Sequence, residues 1–443
     1  MRPRPAPVAV AAVAVVLGAC AAPSAGPEPT APAVPTVSPS VSRSGPDPTQ
    51  PTTETPTPTP TPTREASAVR DPALDDDLIR AAWANDVDAA QDLVERGADV
   101  NAKDATEQSA YLIATSEGFS ELLRLTLDHG ADVASLDSYR GTGLIRAAER
   151  GHADIVGELI QRGVDIDHVN RLGWTGLHEA LVFAERAGGE ARGDERDYVD
   201  TVRVLVAAGG DVTLRSRRDD RSPLELARES GLDAQAELID AAASQGRVSR
   251  AEANRRLLDA AAGDDADAAA LALRGGAELE ARNDRGQTPL LVAAAADSTQ
   301  VARLLTYLGA DPDAVDDRSD TPWLVTGVTG SVQMLEILLP ADPDLTATNR
   351  FGGLSPIPAA ERGHVDYLRR VVRTEVDLDH VNDLGWTALL EAVILGDGGE
   401  RHQQVVKILL DAGADPAIPD ADGVTALQHA ERRGYDEIAE LLR

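Results

Sequence analysis

From about residue 74 onward, Leu and Ala recur at helical spacing in short runs, each opened by Ser or Thr. Thr288-Pro289-Leu290, Thr321-Pro322-Trp323, Thr387-Ala388-Leu389 and Thr425-Ala426-Leu427 mark these openings in the second half of the chain. Ser109-Ala110-Tyr111, Thr142-Gly143-Leu144, Thr175-Gly176-Leu177 and Ser222-Pro223-Leu224 mark them in the first. A Ser or Thr hydroxyl accepts a free backbone N–H of the first helical turn, and a Pro just inside that turn lacks only an N–H that would have had no partner. Each opening therefore predicts a short helix with one apolar face. After a tight turn a second amphipathic segment follows, such as Ala153-Asp154-Ile155-Val156-Gly157-Glu158-Leu159-Ile160. A Gly then supplies the left-handed residue of a helix C-cap. Polar stretches such as Asn170-Arg171-Leu172-Gly173 predict a projecting turn into the next pair of helices.

The pairs recur with a period of 33 residues. Gly97-Ala98-Asp99, Gly130-Ala131-Asp132 and Gly163-Val164-Asp165 keep that spacing, and the phase resumes at Gly209-Gly210-Asp211. In the second half the acidic position returns at Glu278, Asp311, Asp344 and Asp377, then at Asp415. One pair of short helices cannot bury its own apolar face, so the units must stack. This pattern resembles the ankyrin repeat, with its 33-residue unit and T-P-L-H-x-A opening, over about residues 74 to 443. The resemblance implies an all-α solenoid of paired antiparallel helices with projecting hairpin turns. Two units depart from it by placing Asp342 and Glu375 where the C-cap Gly belongs. A non-Gly residue at positive φ costs about 1 kcal/mol, so these units are expected to be locally weaker.

A shift of 212 residues aligns the two halves beyond a shared consensus. Asp167-His168-Val169-Asn170 returns as Asp379-His380-Val381-Asn382, and Leu172-Gly173-Trp174-Thr175 returns as Leu384-Gly385-Trp386-Thr387. Both copies lengthen the same inter-helix turn, by 13 residues in the first and 5 in the second. A duplicated array follows, with five units over about 74–243 and six over about 252–443. At the junction, 244–251, Ser249-Arg250-Ala251-Glu252 reads as a capping box that starts a new helix. A linear stack of eleven units would extend about 100 Å.

The amino terminus follows a different pattern. Arg2 and Arg4 precede an apolar run from Val8 to Leu17, and the run ends in Leu17-Gly18-Ala19-Cys20. This resembles the lipobox of bacterial lipoproteins and implies a signal peptide over 1–19 with Cys20 as the lipidated residue. The run is too short to span a bilayer, which takes about 20 residues. Residues 21–70 contain 13 Pro, 10 Thr and 6 Ser, so this linker, ending near residue 73, is expected to be disordered. As an extended polyproline spacer it would reach up to about 150 Å. The expected location is lipid-anchored and extracytoplasmic, at the cell surface or in the periplasm. Cys20 is the only cysteine, which excludes an intramolecular disulfide and a Cys-based zinc site.

Composition narrows the function. Aromatic residues make up 3% and the core residues are largely Ala and Leu, which suits closely packed helices. The net charge is −32, and the first 70 residues hold five basic and four acidic groups, leaving about −33 on the repeats. Such a field repels phosphate backbones and anionic lipid surfaces and favours a basic protein or peptide partner. Neither Lys103 nor Lys407 follows a Gly, which excludes a Walker A loop, and no G-x-S-x-G, H-E-x-x-H or G-x-G-x-x-G occurs. His178-Glu179 lacks a second His, because Val182 stands in its place. Asp420-Ala421-Asp422-Gly423 looks like part of an EF-hand loop, but Ile418 and His429 occupy ligand positions. His152 and His364 fall at the inter-helix turn, where they read as structural. No catalytic residue, metal site or cofactor is expected.

What remains is binding. In the ankyrin family, partners meet the projecting turns and the first helix of each unit. Trp174 and Trp386 immediately precede the opening Thr in equivalent units, and large aromatic side chains are enriched at interface hot spots. Each ring could equally cover the adjacent turn of its own array. Arg171 and Asp383 at the equivalent tips of the two copies, together with Tyr139 and Phe351, complete the candidate set. The long turn from Ala187 to Asp194 is a second candidate contact or a plain solvated loop. The expected function is a non-enzymatic protein-interaction scaffold. The rivals are a lipoprotein that captures a metal or small molecule, an enzyme with its site at the array junction, and a secreted effector or inhibitor.

Overall fold

The computed structural model describes residues 71–186 and 198–443. Among these residues the fold is all-helical, with a single isolated bridge between Leu136 and Thr142 and no strand. Five helix pairs come first: α1 (Pro72–Ala84) and α2 (Val87–Glu95), α3 (Ala110–Glu117) and α4 (Ser120–Asp128), α5 (Gly143–Arg150) and α6 (Ala153–Gln161), α7 (Gly176–Arg186) and α8 (Tyr198–Ala207), α9 (Pro223–Glu229) and α10 (Asp233–Ser244). Six more follow: α11 (Arg250–Gly263) and α12 (Ala266–Arg274), α13 (Pro289–Ala296) and α14 (Thr299–Tyr307), α15 (Pro322–Thr329) and α16 (Val332–Leu338), α17 (Pro356–Arg362) and α18 (Val365–Val371), α19 (Ala388–Ile394) and α20 (Glu400–Asp411), α21 (Ala426–Arg433) and α22 (Asp436–Leu441). We number these pairs as repeats 1 to 11. The expected signal peptide, Cys20, the Pro/Thr-rich stretch up to residue 70 and the Ala187–Asp194 turn lie outside the described residues, whereas the last residues assigned to the linker, Asp71 to Ala73, are ordered as the cap and first turn of α1.

The caps follow from the sequence pattern. Ser109, Thr142, Thr288, Thr321, Thr387 and Thr425 each accept a backbone N–H of the helix they open. Ser249 caps α11 through the N–H of Glu252 at 3.2 Å. The expected reciprocal bond is missing there, because the Glu252 carboxylate turns to Arg255 and Arg256. Ser222 with Glu225 and Thr425 with Gln428 make the complete box instead. Asp342 takes a left-handed φ of 55°, whereas Glu375 is not among the residues with positive φ. The strain expected of both units therefore falls on one. His152 and His364 act as struts between repeats, with Nε2 3.3 Å from the Ser116 carbonyl and 3.2 Å from the Val328 carbonyl respectively.

The recurrent acidic residue turns out to be a strap between repeats. The Asp132 N–H donates to Asn101 Oδ1 at 2.7 Å, that of Asp211 to Asp167 Oδ1 at 2.8 Å, and that of Asp415 to Asp379 Oδ1 at 2.7 Å. Each strap residue then caps its own loop, as when Asp415 Oδ1 accepts the Ala417 N–H at 2.8 Å and Asp344 Oδ1 accepts that of Thr346 at 2.8 Å. An acidic or amide side chain two residues after the strap position thus holds the following repeat in register.

The eleven repeats do not form one linear stack. The chain turns back between α10 and α11, and the second helices of the two arrays pack against each other: α8 and α10 on α12, and α6 and α8 on α14. Arg203 of α8 bonds Asp267 of α12 through Nε at 2.6 Å and Asp200 of its own helix through Nη1 at 2.8 Å. Arg303 of α14 approaches the same Asp200 at 3.6 Å. Farther along, Gln161 Nε2 donates to the Tyr307 carbonyl at 2.8 Å, and Arg124 Nη2 to the Pro340 carbonyl at 2.9 Å. Repeat 4 thus meets repeat 6, repeat 3 meets repeat 7, and repeat 2 meets repeat 8. At the crossing of α6 and α14, a side chain at Gly157 would run into the Tyr307 backbone carbonyl. This back-to-back packing leaves the first helices and turn tips of both arrays uncovered by the other array. No described helix is long and apolar enough to cross a membrane.

Candidate partner-binding groove

Most projecting tips are built around an Asp or Asn whose Oδ1 accepts the N–H groups two and four residues on, while the tip at Ser216 uses its hydroxyl to accept the Arg221 N–H. Asp137 holds Tyr139 and Gly141 at 2.9 and 2.7 Å, Asp316 holds Arg318 and Asp320 at 2.8 and 2.9 Å, and Asn349 holds Phe351 and Gly353 at 2.9 and 3.0 Å. Asn382 does the same for Leu384 and Trp386, at 3.0 Å each. Neighbouring tips are tied by backbone bonds, from Arg171 N–H to the Tyr139 carbonyl at 2.7 Å, from Asp317 to Arg285 at 3.2 Å, and from Asp383 to Phe351 at 2.9 Å. The tips therefore form a braced row in each array.

In the second array this row and helices α13, α15, α17 and α19 enclose a groove of about 670 Å³. Val328, Phe351, Leu384 and Leu395 line it, four of the nine large apolar side chains left exposed among the described residues. Phe351 is 51% and Leu384 54% exposed, so neither side chain belongs to the core. The groove's charged side chains are Arg285, Arg318, Arg350 and Arg362 with Asp320, Glu361 and Glu391. Asp320 lies 3.7 Å from Arg318 and 3.5 Å from Arg350, and the Arg350 guanidinium stands 4.5 Å over the Phe351 ring. Arg362 pairs with Glu361 at 2.8 Å. Glu391 is buried and accepts a bond from Asn382 Nδ2 at 2.9 Å. Burial, and then the nearby Glu361 charge, push its carboxyl up to about 7.

Of the residues singled out in the sequence, Phe351 lies in this groove. Asp383 is exposed on the neighbouring tip, and Trp386 is half-buried against the core. Tyr139 and Arg171 are exposed on the tip row of the first array. Trp174 is 7% exposed, with Arg218 of the next tip 5.7 Å from its ring centroid, so this Trp covers its own array and does not present a contact face. Cys20 lies outside the described residues. The sequence reading missed Arg285, Arg318, Leu384, Leu395 and Glu391. For three of them the signal was present: the third tip residue projects because the Asp or Asn two residues before it clamps its N–H. Arg285, Arg318, Phe351 and Leu384 occupy that position at the 33-residue period.

The whole-chain charge does not describe this surface. The strap aspartates sit on the loops leaving the second helices and are not among the groove's lining residues, where four Arg face three carboxylates. The acidic excess of the whole chain therefore does not extend to this groove. Among the described residues no cluster of three or more His, Cys, Asp or Glu is placed to hold a metal ion. The EF-hand-like Asp420 is committed to the Asp422 and Val424 N–H groups and to His429 at 2.7 Å.

The family described as "Ankyrin repeats (3 copies)" matches residues 78–170, 112–187, 325–420 and 357–443, and "Ankyrin repeat" matches 285–317. The chain belongs to the ankyrin-repeat family, whose repeats generally serve as protein–protein interaction scaffolds. It is 44% identical over 100 residues to the putative ankyrin repeat protein YahD of Escherichia coli (strain K12), a stretch covering 22% of this chain and 50% of that protein. The chain thus spans about half the length of this curated relative. Among solved structures it is similar to an ankyrin repeat domain from Acinetobacter baumannii AYE, at 47% identity over 42% of this chain and 95% of that one, with a TM-score of 0.41. The ankyrin repeat protein EF0377 is similar at 36% identity, over 43% and 96%, with a TM-score of 0.41.

Proposed function

We propose that the chain is a non-enzymatic scaffold, lipid-anchored through Cys20 on the outer side of the bacterial cytoplasmic membrane, that binds a protein or peptide segment in the groove of its second array. The observation that carries this reading is the gathering of Val328, Phe351, Leu384 and Leu395, all exposed, on one concave face. Exposed apolar area in a braced groove is stabilised by a partner that covers it, at about 25 cal/mol per Å² removed from water. The tips are tied to one another, so little conformational entropy is lost on binding. The overall acidity disfavours nucleic acid as that partner and speeds encounter with basic surfaces outside the groove.

Crosslinking in cells, followed by mass spectrometry of the captured species, tests the groove. A partner captured by the wild-type chain and lost with Phe351→Asp/Leu384→Asp is expected; the same capture by both chains contradicts it. Replacing Cys20 with Ala is expected to release the protein from the membrane fraction. Unchanged fractionation would remove the anchor from this account and favour a secreted effector.

A further inference from the structure

The groove of the second array changes character along its length. At repeats 6 to 8 its exposed tip residues are Arg285, Arg318 and Arg350; at repeats 8 to 10 they are Phe351 and Leu384, with Leu395 beyond them. Arg285 has no side-chain partner among the described residues, and Arg318 and Arg350 share the single carboxylate of Asp320. The other two lining carboxylates are occupied: Glu361 is opposed by Arg362, and Glu391 is buried, bonded to Asn382 and lifted toward neutrality by its surroundings. Asp284, Asp317 and Asp383 sit on the same tips but do not line the groove. Fields of exposed charges fade over about 8 Å at physiological ionic strength, so a bound segment responds to the guanidinium groups beside it more than to the distant strap aspartates.

Resting on the groove reading above, we propose that the segment seated there is acidic where it faces repeats 6 to 8 and apolar where it faces repeats 8 to 10. Its charge is the opposite of what the net charge of the chain selects. Guanidinium groups take carboxylates through paired hydrogen bonds, and Arg285 is free to do so. From Arg285 to Leu384 is three repeat steps of about 10 Å each, which an extended segment of about nine residues spans. Asp or Glu side chains at one end and Leu, Phe or Ile at the other, in either chain direction, satisfy both ends of the groove.

A random dodecapeptide display library selected on the immobilised full chain, and counter-selected on Phe351→Asp/Leu384→Asp, tests this. Enrichment of sequences with Asp or Glu in one half and large apolar residues in the other is expected. A synthetic peptide of the enriched type should bind at least tenfold more weakly to Arg285→Glu/Arg350→Glu. Arg285→Glu alone touches no internal contact and should lower affinity in the same direction with an unchanged circular dichroism melt. Enrichment of Lys or Arg that still disappears on the counter-selecting variant overturns the acidic assignment and leaves the groove standing. Enrichment indifferent to that variant, or no enrichment, overturns the groove as well.

Discussion

Gly157 and Arg369 occupy the same position in the two copies of the array, 212 residues apart, and their surroundings explain why they differ. Gly157 lies where α6 crosses α14, with no room for a Cβ. Arg369, on α18, reaches Asp366 at 2.7 Å and Gln404 at 3.1 Å and is exposed. Trp174 and Trp386 repeat the lesson. The tip following Trp174 offers Arg218 to its ring, while the corresponding tip after Trp386 carries Asp422, and that Trp is left half-buried. The inherited unit is one, and what each copy presents is decided by its neighbours.

The strongest way to break this contrast is to exchange the residues at the crossing. Gly157→Arg should destabilise the fold by about 3–4 kcal/mol, through overpacking and a buried charge, and should open the array hairpin. Urea titration and the radius of gyration from small-angle scattering check both effects. The reverse exchange, Arg369→Gly, should change the radius of gyration little.

Glu391 gives the next largest effect. Its folded pKa of about 7 lies above the ordinary 4.5, so the native state holds the extra proton. The stability this contributes is fully present below about pH 4.5, is lost as the pH rises toward 7 and is absent above, a change on the order of 2–3 kcal/mol. Glu391→Gln should flatten that window and raise stability at pH 8, measured by denaturant titration across pH.

Smaller still is the pair of tip exchanges. Arg218→Asp should raise acrylamide quenching of Trp174, and Asp422→Arg should lower that of Trp386, each with about 0.5–1 kcal/mol in stability. Asp342→Gly should stabilise by about 0.5 kcal/mol, because a left-handed φ suits Gly, whereas Glu375→Gly should bring no such gain. Hydrogen exchange in repeat 8 resolves that difference.

Much of the fold was legible because it is local. Ser or Thr openings, the Asp or Asn clamps and the 33-residue period recur from unit to unit, so the sequence states them many times over. The back-to-back packing was not legible, because it depends on pairs such as Arg203 with Asp267 and Gln161 with Tyr307, which share no sequence register. The groove falls between these cases. Phe351 was picked out as a large aromatic residue, while Leu384 and Arg318 look ordinary until the clamp at Asn382 and Asp316 shows which tip residue projects. Net charge is uninformative about the groove for a related reason: a count does not distinguish carboxylates that strap repeats together from those that line a particular surface.

The most direct test of the central claim, that the second array's tip row is the contact face, is site-specific photocrosslinking of the full chain in cells. A photoreactive residue placed at Phe351 or Leu384 should capture the same partner, while one at Tyr139, the position equivalent to Phe351 in the first array, should not. Capture at position 139 with none at 351 or 384 would contradict the account.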